Sequence, residues 1–272
     1  LGQGLGPDDE VDAAIVARGE LWASGTFRTV GAVWSPNLAR FDGDRWSAVE
    51  PPPVSSVGLL STLNGDPLVV RGAGPIAIGD TLAARWDGAR WIPLIAQEAF
   101  ASSSVEAAIE WGSRTILAGS FLTFDHAQVP LLVAEGDRVH RGFAGLEGSA
   151  RLGVSHRDGV TLYGNFSNGG GPTVTAIADL QDGVWRVAPV RFSNFGSSNA
   201  TTPYDAAVQG DLVLFAGQFD LANGVYSPGL VAWDGRAIRA FAPNQRGGLR
   251  PVEIRKLAMI EGHLLAVGLF LD

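Results

Sequence analysis

The chain has 272 residues, of which 46% are hydrophobic and 18% charged, a composition typical of a globular protein that can bury a core. Its net charge of −8 offers no basic field to nucleic acid or anionic lipid. The absence of cysteine excludes disulfides, thiol nucleophiles and thiolate metal sites, and no apolar run reaches the roughly 18 residues of a membrane-spanning helix.

The first ten residues, LGQGLGPDDE, contain a GxGxG run, but neither a strand before it nor a helix after it is predicted. They therefore do not predict a dinucleotide site. We interpret them as the tail of a preceding repeat followed by a polar loop. The start at Leu1 indicates a processed chain or a fragment of a longer one.

From Val11 onward, pairs of alternating apolar runs predict antiparallel strands. The two runs of each pair meet at a turn that ends in glycine, in six copies: Arg18-Gly19, Asn64-Gly65, Trp111-Gly112, Asp158-Gly159, Gln209-Gly210 and Glu261-Gly262. Glycine at this place indicates hairpin turns that require positive φ.

The second strand of each pair carries another glycine, at Gly25, Gly72, Gly119, Gly164, Gly217 and Gly268. Glycine inside a strand weakens it, so its recurrence predicts a place where two backbones approach closely. An aromatic residue follows two positions later in five of the six copies: Phe27, Phe121, Phe166, Phe219 and Phe270. The second copy departs from this pattern with Gly74.

A second strand pair follows a loop in each complete copy. Its turns are expected at Asp42-Gly43, Asp87-Gly88, Glu135-Gly136, Asp182-Gly183 and Asp234-Gly235. Asp-Gly is among the strongest short hairpin signals. Trp46, Trp91 and Trp185 occupy one equivalent position after the turn, where we expect them to pack between adjacent repeats.

The sequence therefore predicts an all-β protein, a single domain over residues 1–272, built as a β-propeller of four-stranded blades with a period of about 47 residues. The expected repeats lie near residues 11–50, 55–95, 104–143, 151–190 and 205–242, with a partial repeat at 251–272. About six blades are expected, the last incomplete, with seven as the alternative. An incomplete blade would leave an exposed sheet edge, which another segment or chain could pair.

This pattern of a small residue, Gly, any residue and Phe, then a loop, Ala-Arg-Phe/Trp-Asp-Gly and Arg-Trp, resembles the Kelch-like propeller repeats of large secreted bacterial surface proteins and fungal cortical polarity-marker proteins. The resemblance covers nearly the whole chain, with departures at Gly74, Glu135 and Asp182. It implies an extracytoplasmic binding or assembly module, whether secreted, on the cell surface or periplasmic. Arginine supplies every basic residue except Lys256, which indicates a GC-rich bacterial genome.

In a propeller the short turns lie on one face, and the longer loops between the second and third strands lie on the other. Scaffolds usually carry function on such longer loops. The candidate binding residues on this long-loop face are Arg28, Trp34, Asp125, His126, Asn165, Asn168, Arg191, Phe192, Phe195, Asp220 and Tyr226. Their mixture of aromatic and amide groups would suit a protein surface or a sugar.

No catalytic, metal or cofactor site is predicted. The four histidines, His126, His140, His156 and His263, fall in different repeats without metal-ligand spacing. Asp42 and Asp44 flank a hairpin turn, so we expect them to face solvent rather than to form a glycosidase pair.

Three functions are consistent with these observations. The first is a non-enzymatic propeller that binds a protein partner or scaffolds a larger assembly. The second is a carbohydrate-binding propeller, ranked lower because the loops after Phe27, Phe121, Phe166 and Phe219 differ in sequence. The third is a metal-assisted enzyme at the central channel, which would need polar groups from several blades to converge.

Overall fold

The computed structural model describes residues 6–156, 159–167, 171–197, 199–241 and 250–271. Within these ranges the regular elements are β-strands, as the alternating apolar runs predict, and none is a helix. The described residues accordingly contain no helix that could cross a bilayer. The chain divides into two compact units, Leu1–Gly142 and Phe143–Asp272.

The first unit contains three four-stranded antiparallel meanders, which we call repeats 1 to 3. Repeat 1 comprises β1 (Val11–Ala17) and β2 (Glu20–Gly25), a small inserted hairpin of β3 (Thr29–Val30) and β4 (Val33–Trp34), then β5 (Leu38–Phe41) and β6 (Trp46–Ala48). Repeat 2 comprises β7 (Val57–Leu63), β8 (Asp66–Arg71), β9 (Thr81–Trp86) and β10 (Trp91–Ala96). Repeat 3 comprises β11 (Ser102–Trp111), β12 (Arg114–Leu122), β13 (Gln128–Glu135) and β14 (Arg138–Arg141).

The second unit contains two further meanders and a final hairpin. Repeat 4 comprises β15 (Glu147–His156), β16 (Gly159–Ser167), β17 (Val174–Gln181) and β18 (Val184–Pro189). The joining segment holds β19 (Phe192–Ser193) and β20 (Ala200–Thr201). Repeat 5 comprises β21 (Pro203–Gln209), β22 (Leu212–Gly217), the inserted β23 (Leu221–Ala222) and β24 (Val225–Tyr226), then β25 (Leu230–Trp233) and β26 (Ile238–Ala240). The final hairpin pairs β27 (Arg250–Ile260) with β28 (His263–Leu271).

The structure confirms most of the predicted turns. Arg18-Gly19, Asn64-Gly65 and Glu261-Gly262 have positive φ at both residues, as a tight two-residue hairpin requires. The predicted turn at Asp158-Gly159 is wrong, because Gly159 already belongs to β16 and pairs with His156. Asp158, the other residue of this predicted turn, lies outside the described residues.

The glycines of the second strands face β-bulges in the first strands, except in repeat 2, where the bulge lies opposite Arg71 and Gly72 follows the end of β8. The register shifts between Val105 and Ala107 opposite Gly119, for example, and comparable shifts occur in the other first strands. A Cβ on Gly119 would fall well inside contact distance of the Ser104 carbonyl oxygen. The prediction of a close backbone approach is thus confirmed, and its cause is the extra residue in the first strand.

Repeats 2 and 3 are joined into one eight-stranded sheet, which the repeat pattern did not predict. Their outer strands β10 and β14 pair in parallel, with Ile95 opposite Arg138 and Ala96 opposite Val139. The Gln97 N–H also donates to the Val139 carbonyl at 2.8 Å. The outer edges of repeats 2 and 3 therefore cover each other instead of remaining open.

The equivalent tryptophans behave differently from one another. Trp91 packs in a cluster with Trp22 of repeat 1 and donates its indole N–H to the Glu50 carbonyl at 2.7 Å, so it bridges repeats as expected. Trp185 donates to the Phe143 carbonyl at 3.3 Å. Trp46 instead packs on Phe41 of its own repeat, with ring centroids 5.3 Å apart.

Candidate functional site

A cavity of about 380 Å³ lies in the second unit, between repeat 4 and the segment that joins it to repeat 5. Three of the predicted binding residues, Asn165, Arg191 and Phe192, line it. The other lining residues, which the sequence did not reveal, are Arg151, Tyr163, Gly164, Thr175, Val190, Ala200, Thr201 and Thr202. Two of these described lining residues are arginines and none is acidic, in a chain whose net charge is −8.

The bulge of repeat 4 places Arg151 at this cavity. Ala150 pairs with Gly164 and Leu152 pairs with Tyr163, so Arg151 is the extra residue of β15. A bulge redirects the side chain of the inserted residue, which is why bulges recur beside binding sites. No acidic partner of Arg151 occurs among the ion pairs of the described residues.

Two buried aromatic residues form the apolar side of the cavity. Tyr163 and Phe192 are each 1% exposed, and their rings meet edge to face with centroids 5.6 Å apart. Phe192 continues into the core of repeat 5 through Phe219, at 4.8 Å. Burial raises the pKa of Tyr163 to about 12, with the charge of Arg151 acting in the opposite direction, so the phenol is neutral at pH 7.

Hydrogen bonds order the polar residues that line the other side of the cavity. The Thr175 hydroxyl donates to Asn165 Oδ1 at 2.9 Å across the β16–β17 pair. The Arg191 N–H donates to Asn223 Oδ1 at 2.9 Å, which fastens the joining segment to repeat 5. The Thr201 hydroxyl is buried and has no hydrogen-bond partner among the described residues. Unsatisfied groups of this kind are rare in folded proteins and often mark functional positions.

An exposed aromatic pair lies on the same small sheet as the cavity. Strands β20, β19, β23 and β24 pair in that order, so Thr201 at the cavity and Tyr226 lie on opposite edges. Phe195 and Tyr226 are 63% and 48% exposed, and their ring centroids are 5.4 Å apart. Asp220 Oδ2 accepts the Phe195 N–H at 2.9 Å. Asp220 therefore fixes the loop that presents the pair.

Repeat 1 carries the counterpart of this hairpin. Its segment from Phe27 to Leu38 has the same length and the same Ser-Pro as the segment from Phe219 to Leu230, with Trp34 in the place of Tyr226. In both, a serine hydroxyl donates to a leucine carbonyl at 2.5 Å. The two loops differ in most of their residues, as noted from the sequence, yet both form a small two-stranded hairpin.

The exposed groups of the repeat 1 hairpin are Arg28 and Trp34, and Trp34 is 65% exposed. Asp8 fixes the start of the hairpin, since its Oδ1 accepts the N–H groups of Arg28 and Thr29, both at 2.9 Å. These backbone hydrogen bonds, that of Thr29 first, lower the pKa of Asp8.

The remaining predicted residues are in repeats 3 and 4. Asp125 and His126 form a tight turn after β12, in which His126 has a φ of 65°. The Thr123 hydroxyl donates to the Asp125 carboxylate and lowers its pKa. Both residues belong to the first unit, whereas the cavity belongs to the second. Asn168 lies outside the described residues.

A second cavity, of about 420 Å³, lies at the short-turn end of repeats 4 and 5. Four aspartates and a histidine are among its lining residues: His156, Asp179, Asp182, Asp211 and Asp234. The buried Asp179 carboxylate accepts the Trp233 indole N–H at 2.7 Å and the Thr161 hydroxyl. Through these two hydrogen bonds the Asp179 carboxylate connects repeat 5 to repeat 4.

Asp234 closes the last of the predicted Asp-Gly turns in this region. Its Oδ1 accepts the N–H groups of Ala237 and Arg236, and its Oδ2 accepts the Arg239 guanidinium. The hydrogen bond from Ala237, followed by that from Arg239, lowers the pKa of Asp234 to about 2. Asp42 and Asp87 make equivalent turn contacts. Asp42 and Asp44 are both exposed, so the prediction that they face solvent is confirmed.

Within the part of the chain that the structure describes, no three His, Asp or Glu side chains lie close enough to hold a metal ion. Comparison of the chain with protein-family models and with curated proteins finds no match. The chemistry of the described site therefore rests on its own geometry: two guanidinium groups, an amide and several hydroxyls beside an apolar floor, with an exposed aromatic pair on the adjoining sheet.

Proposed function

We propose that this protein is a non-enzymatic binding module that engages a protein partner, as an accessory subunit or part of a larger extracytoplasmic assembly. In this proposal the five meanders and the final hairpin are the blades of a Kelch-like propeller of about six blades, with seven as the alternative. The repeated four-stranded order and the repeated bulge support that architecture. The compartment follows from the resemblance to secreted and surface propellers.

The observation that carries the proposal is the exposed pair of Phe195 and Tyr226. Aromatic side chains dominate the energetics of protein interfaces, because they bury a large apolar area at a small entropic cost. The pair is held ready by backbone contacts: Phe195 by Asp220, and the hairpin of Tyr226 by the β19–β23 pairing. A rigid, exposed aromatic surface meets a partner with little loss of conformational freedom.

The counterpart hairpin of repeat 1 gives independent support. Trp34 occupies the position of Tyr226 and is 65% exposed, against 48% for Tyr226. Large aromatic residues thus occupy the same exposed hairpin position in two separate repeats, outside the buried core. A contact surface gives both of them a role.

The test is affinity capture from the extracytoplasmic fraction of the source cells. The wild-type chain is compared with a Phe195→Ala/Tyr226→Ala variant and with Val184→Ala, a control that removes an exposed apolar side chain beside a short turn. We expect a partner that is retained by the wild type and by the control and lost with the aromatic pair, and that binds again when purified. Equal capture by all three chains would contradict the proposal.

A second candidate function is carbohydrate binding, which the cavity beside Asn165 and Arg191 favours. Concave sites of about 300–1,000 Å³ with a few convergent polar groups are typical of small-molecule binding.

A further inference from the structure

The cavity of repeat 4 differs from the rest of the molecule in its charge. The chain carries eight more acidic than basic residues, yet the cavity wall has Arg151 and Arg191 and no described carboxylate. Guanidinium groups bind oxyanions through paired hydrogen bonds, and they remain charged at every working pH. The local charge therefore selects for an anion.

The other groups select for a ligand with hydroxyls. Asn165, Thr175 and Thr202 supply an amide and two hydroxyls to the same wall. Such groups both donate and accept hydrogen bonds, which matches the mixed requirement of sugar hydroxyls. Tyr163 and Phe192 border the cavity but are only 1% exposed, so they form its apolar backing and the ligand contacts come from the polar groups.

We propose that this cavity binds an acidic monosaccharide unit, a hexose that bears an anionic group, with Arg151 and Arg191 at that group. Asn165 and Thr175 hold ring hydroxyls. The volume of about 380 Å³ is at the lower end of small-molecule sites, which suits one sugar unit rather than a long chain. The inference deepens the second candidate function and does not rest on the protein-partner proposal.

The bulge explains why this repeat and not another holds the site. The bulge residues of repeats 1 and 3 are Asp12 and Glu106, whereas that of repeat 4 is Arg151. Gly164 opposite the bulge lines the cavity, and a side chain there would collide with the Ser149 carbonyl. The same backbone irregularity therefore presents an anion in two repeats and a cation in this one.

The experiment is titration calorimetry with four probes at concentrations up to about 10 mM, a range that captures millimolar affinity. The probes are glucuronate, glucose 6-phosphate, glucose and acetate. We expect at least one anionic sugar to bind about tenfold or more tightly than glucose and acetate, because a hydrogen bond to a charged group outweighs a neutral one. The tighter of the two anionic sugars identifies the anion as carboxylate or phosphate.

Three variants locate the binding. Arg151→Gln should weaken the anionic sugar by about tenfold or more, and Arg151→Lys, which keeps the charge but loses the planar fork, by less. Arg186→Gln removes an exposed arginine of β18 that does not line the cavity, so affinity should be unchanged. A thermal melt verifies the fold of each variant, and the Lys variant keeps the test valid if the Gln variant is unstable.

Three results would overturn the inference: no saturable binding of either anionic sugar, equal binding of glucose or acetate, or full affinity in both Arg151 variants. None of them bears on the capture experiment with Phe195→Ala/Tyr226→Ala. Conversely, loss of partner capture in that variant leaves the sugar titration unaffected, so the two proposals fail separately.

Discussion

Single glycines determine how the first two strands of each repeat fit together. Gly119 and Gly72 occupy the same position in adjacent repeats, but they face different atoms. A methyl group on Gly119 would meet the Ser104 backbone carbonyl, whereas one on Gly72 would meet only the Ser56 hydroxyl, at 2.7 Å. A hydroxyl can rotate away and a carbonyl in a strand cannot.

We therefore expect Gly119→Ala to lower the free energy of unfolding by about 1–3 kcal/mol, because the backbone must shift to relieve the clash. Gly72→Ala is the matched control and should cost less than about 1 kcal/mol, since reduced freedom of the unfolded chain offsets the small rearrangement. Urea denaturation of both variants measures the difference. Equal losses would show that the bulge adapts to a side chain.

Asp234 gives a prediction about pH at the same scale. Its folded-state pKa of about 2 lies below the ordinary value of 3.8, so its ionised form stabilises the fold above the unfolded pKa. That stabilisation is lost as the pH falls from about 4 to about 2. Asp234→Asn should therefore reduce the loss of unfolding free energy between about pH 4 and pH 2, as measured by denaturation at a series of pH values.

Asp211→Asn, which alters an exposed carboxylate on the neighbouring turn, is the control. If both variants lose stability equally over this pH range, Asp234 is not the group responsible.

At the level of strands, one indole connects the outer strand of repeat 2 to repeat 1. Trp91 is 8% exposed and donates to the Glu50 carbonyl, while Trp46 in repeat 1 packs within its own repeat. Trp91→Phe should cost about 1–3 kcal/mol through the lost hydrogen bond and the vacated volume. Trp46→Phe should cost less than about 1 kcal/mol, because no hydrogen bond between repeats is broken. Denaturant titration compares the two, and a larger loss at Trp46 would reverse this interpretation.

The strands and their turns were largely predictable from sequence, because alternation and turn glycines are local signals. The bulges were predictable in part, since Gly119 and its counterparts indicated a close approach but not the extra residue opposite. The β10–β14 pairing was not predictable, because nothing in Ile95 or Val139 distinguishes an outer edge that meets a neighbour from one that faces solvent. Short strands such as β19 and β20 were missed because two residues contain no periodicity.

The candidate site was predictable to a smaller extent. Asn165 and Arg191 were selected because they lie near long loops, and they do line the cavity. Arg151 was missed because it lies within a strand, where a charged residue normally indicates a solvent-facing position. A signal was present, because Arg151 directly follows Ala150, the partner of Gly164, where the repeat pattern placed a close backbone approach. Thr175 and Thr201 carried no such signal.

At the scale of the whole second unit, repeats 4 and 5 are coupled by a buried carboxylate. Asp179 accepts the indole N–H of Trp233 and is 1% exposed. Removing one partner of a buried charged hydrogen bond leaves the other without compensation. Trp233→Phe should therefore destabilise the protein by about 1.5–3 kcal/mol, and much less in an Asp179→Asn background. A double-mutant cycle by chemical denaturation measures this coupling, and additive effects would show that the contact does not join the two repeats energetically.

The bulge that faces a glycine also affects which strands pair, and in which register, during folding. At Gly25, Gly119, Gly164 and Gly268 a slip of one residue would bring a side chain against a backbone carbonyl, so these strand pairs resist sliding. Because these copies share the same arrangement, it gives no protection against pairing between a first strand of one and a second strand of another. Fidelity between copies must come from the two-residue turns, which close each correct pair before a distant one can compete. Lengthening one of those turns is therefore the change that would most readily allow strands to exchange between repeats.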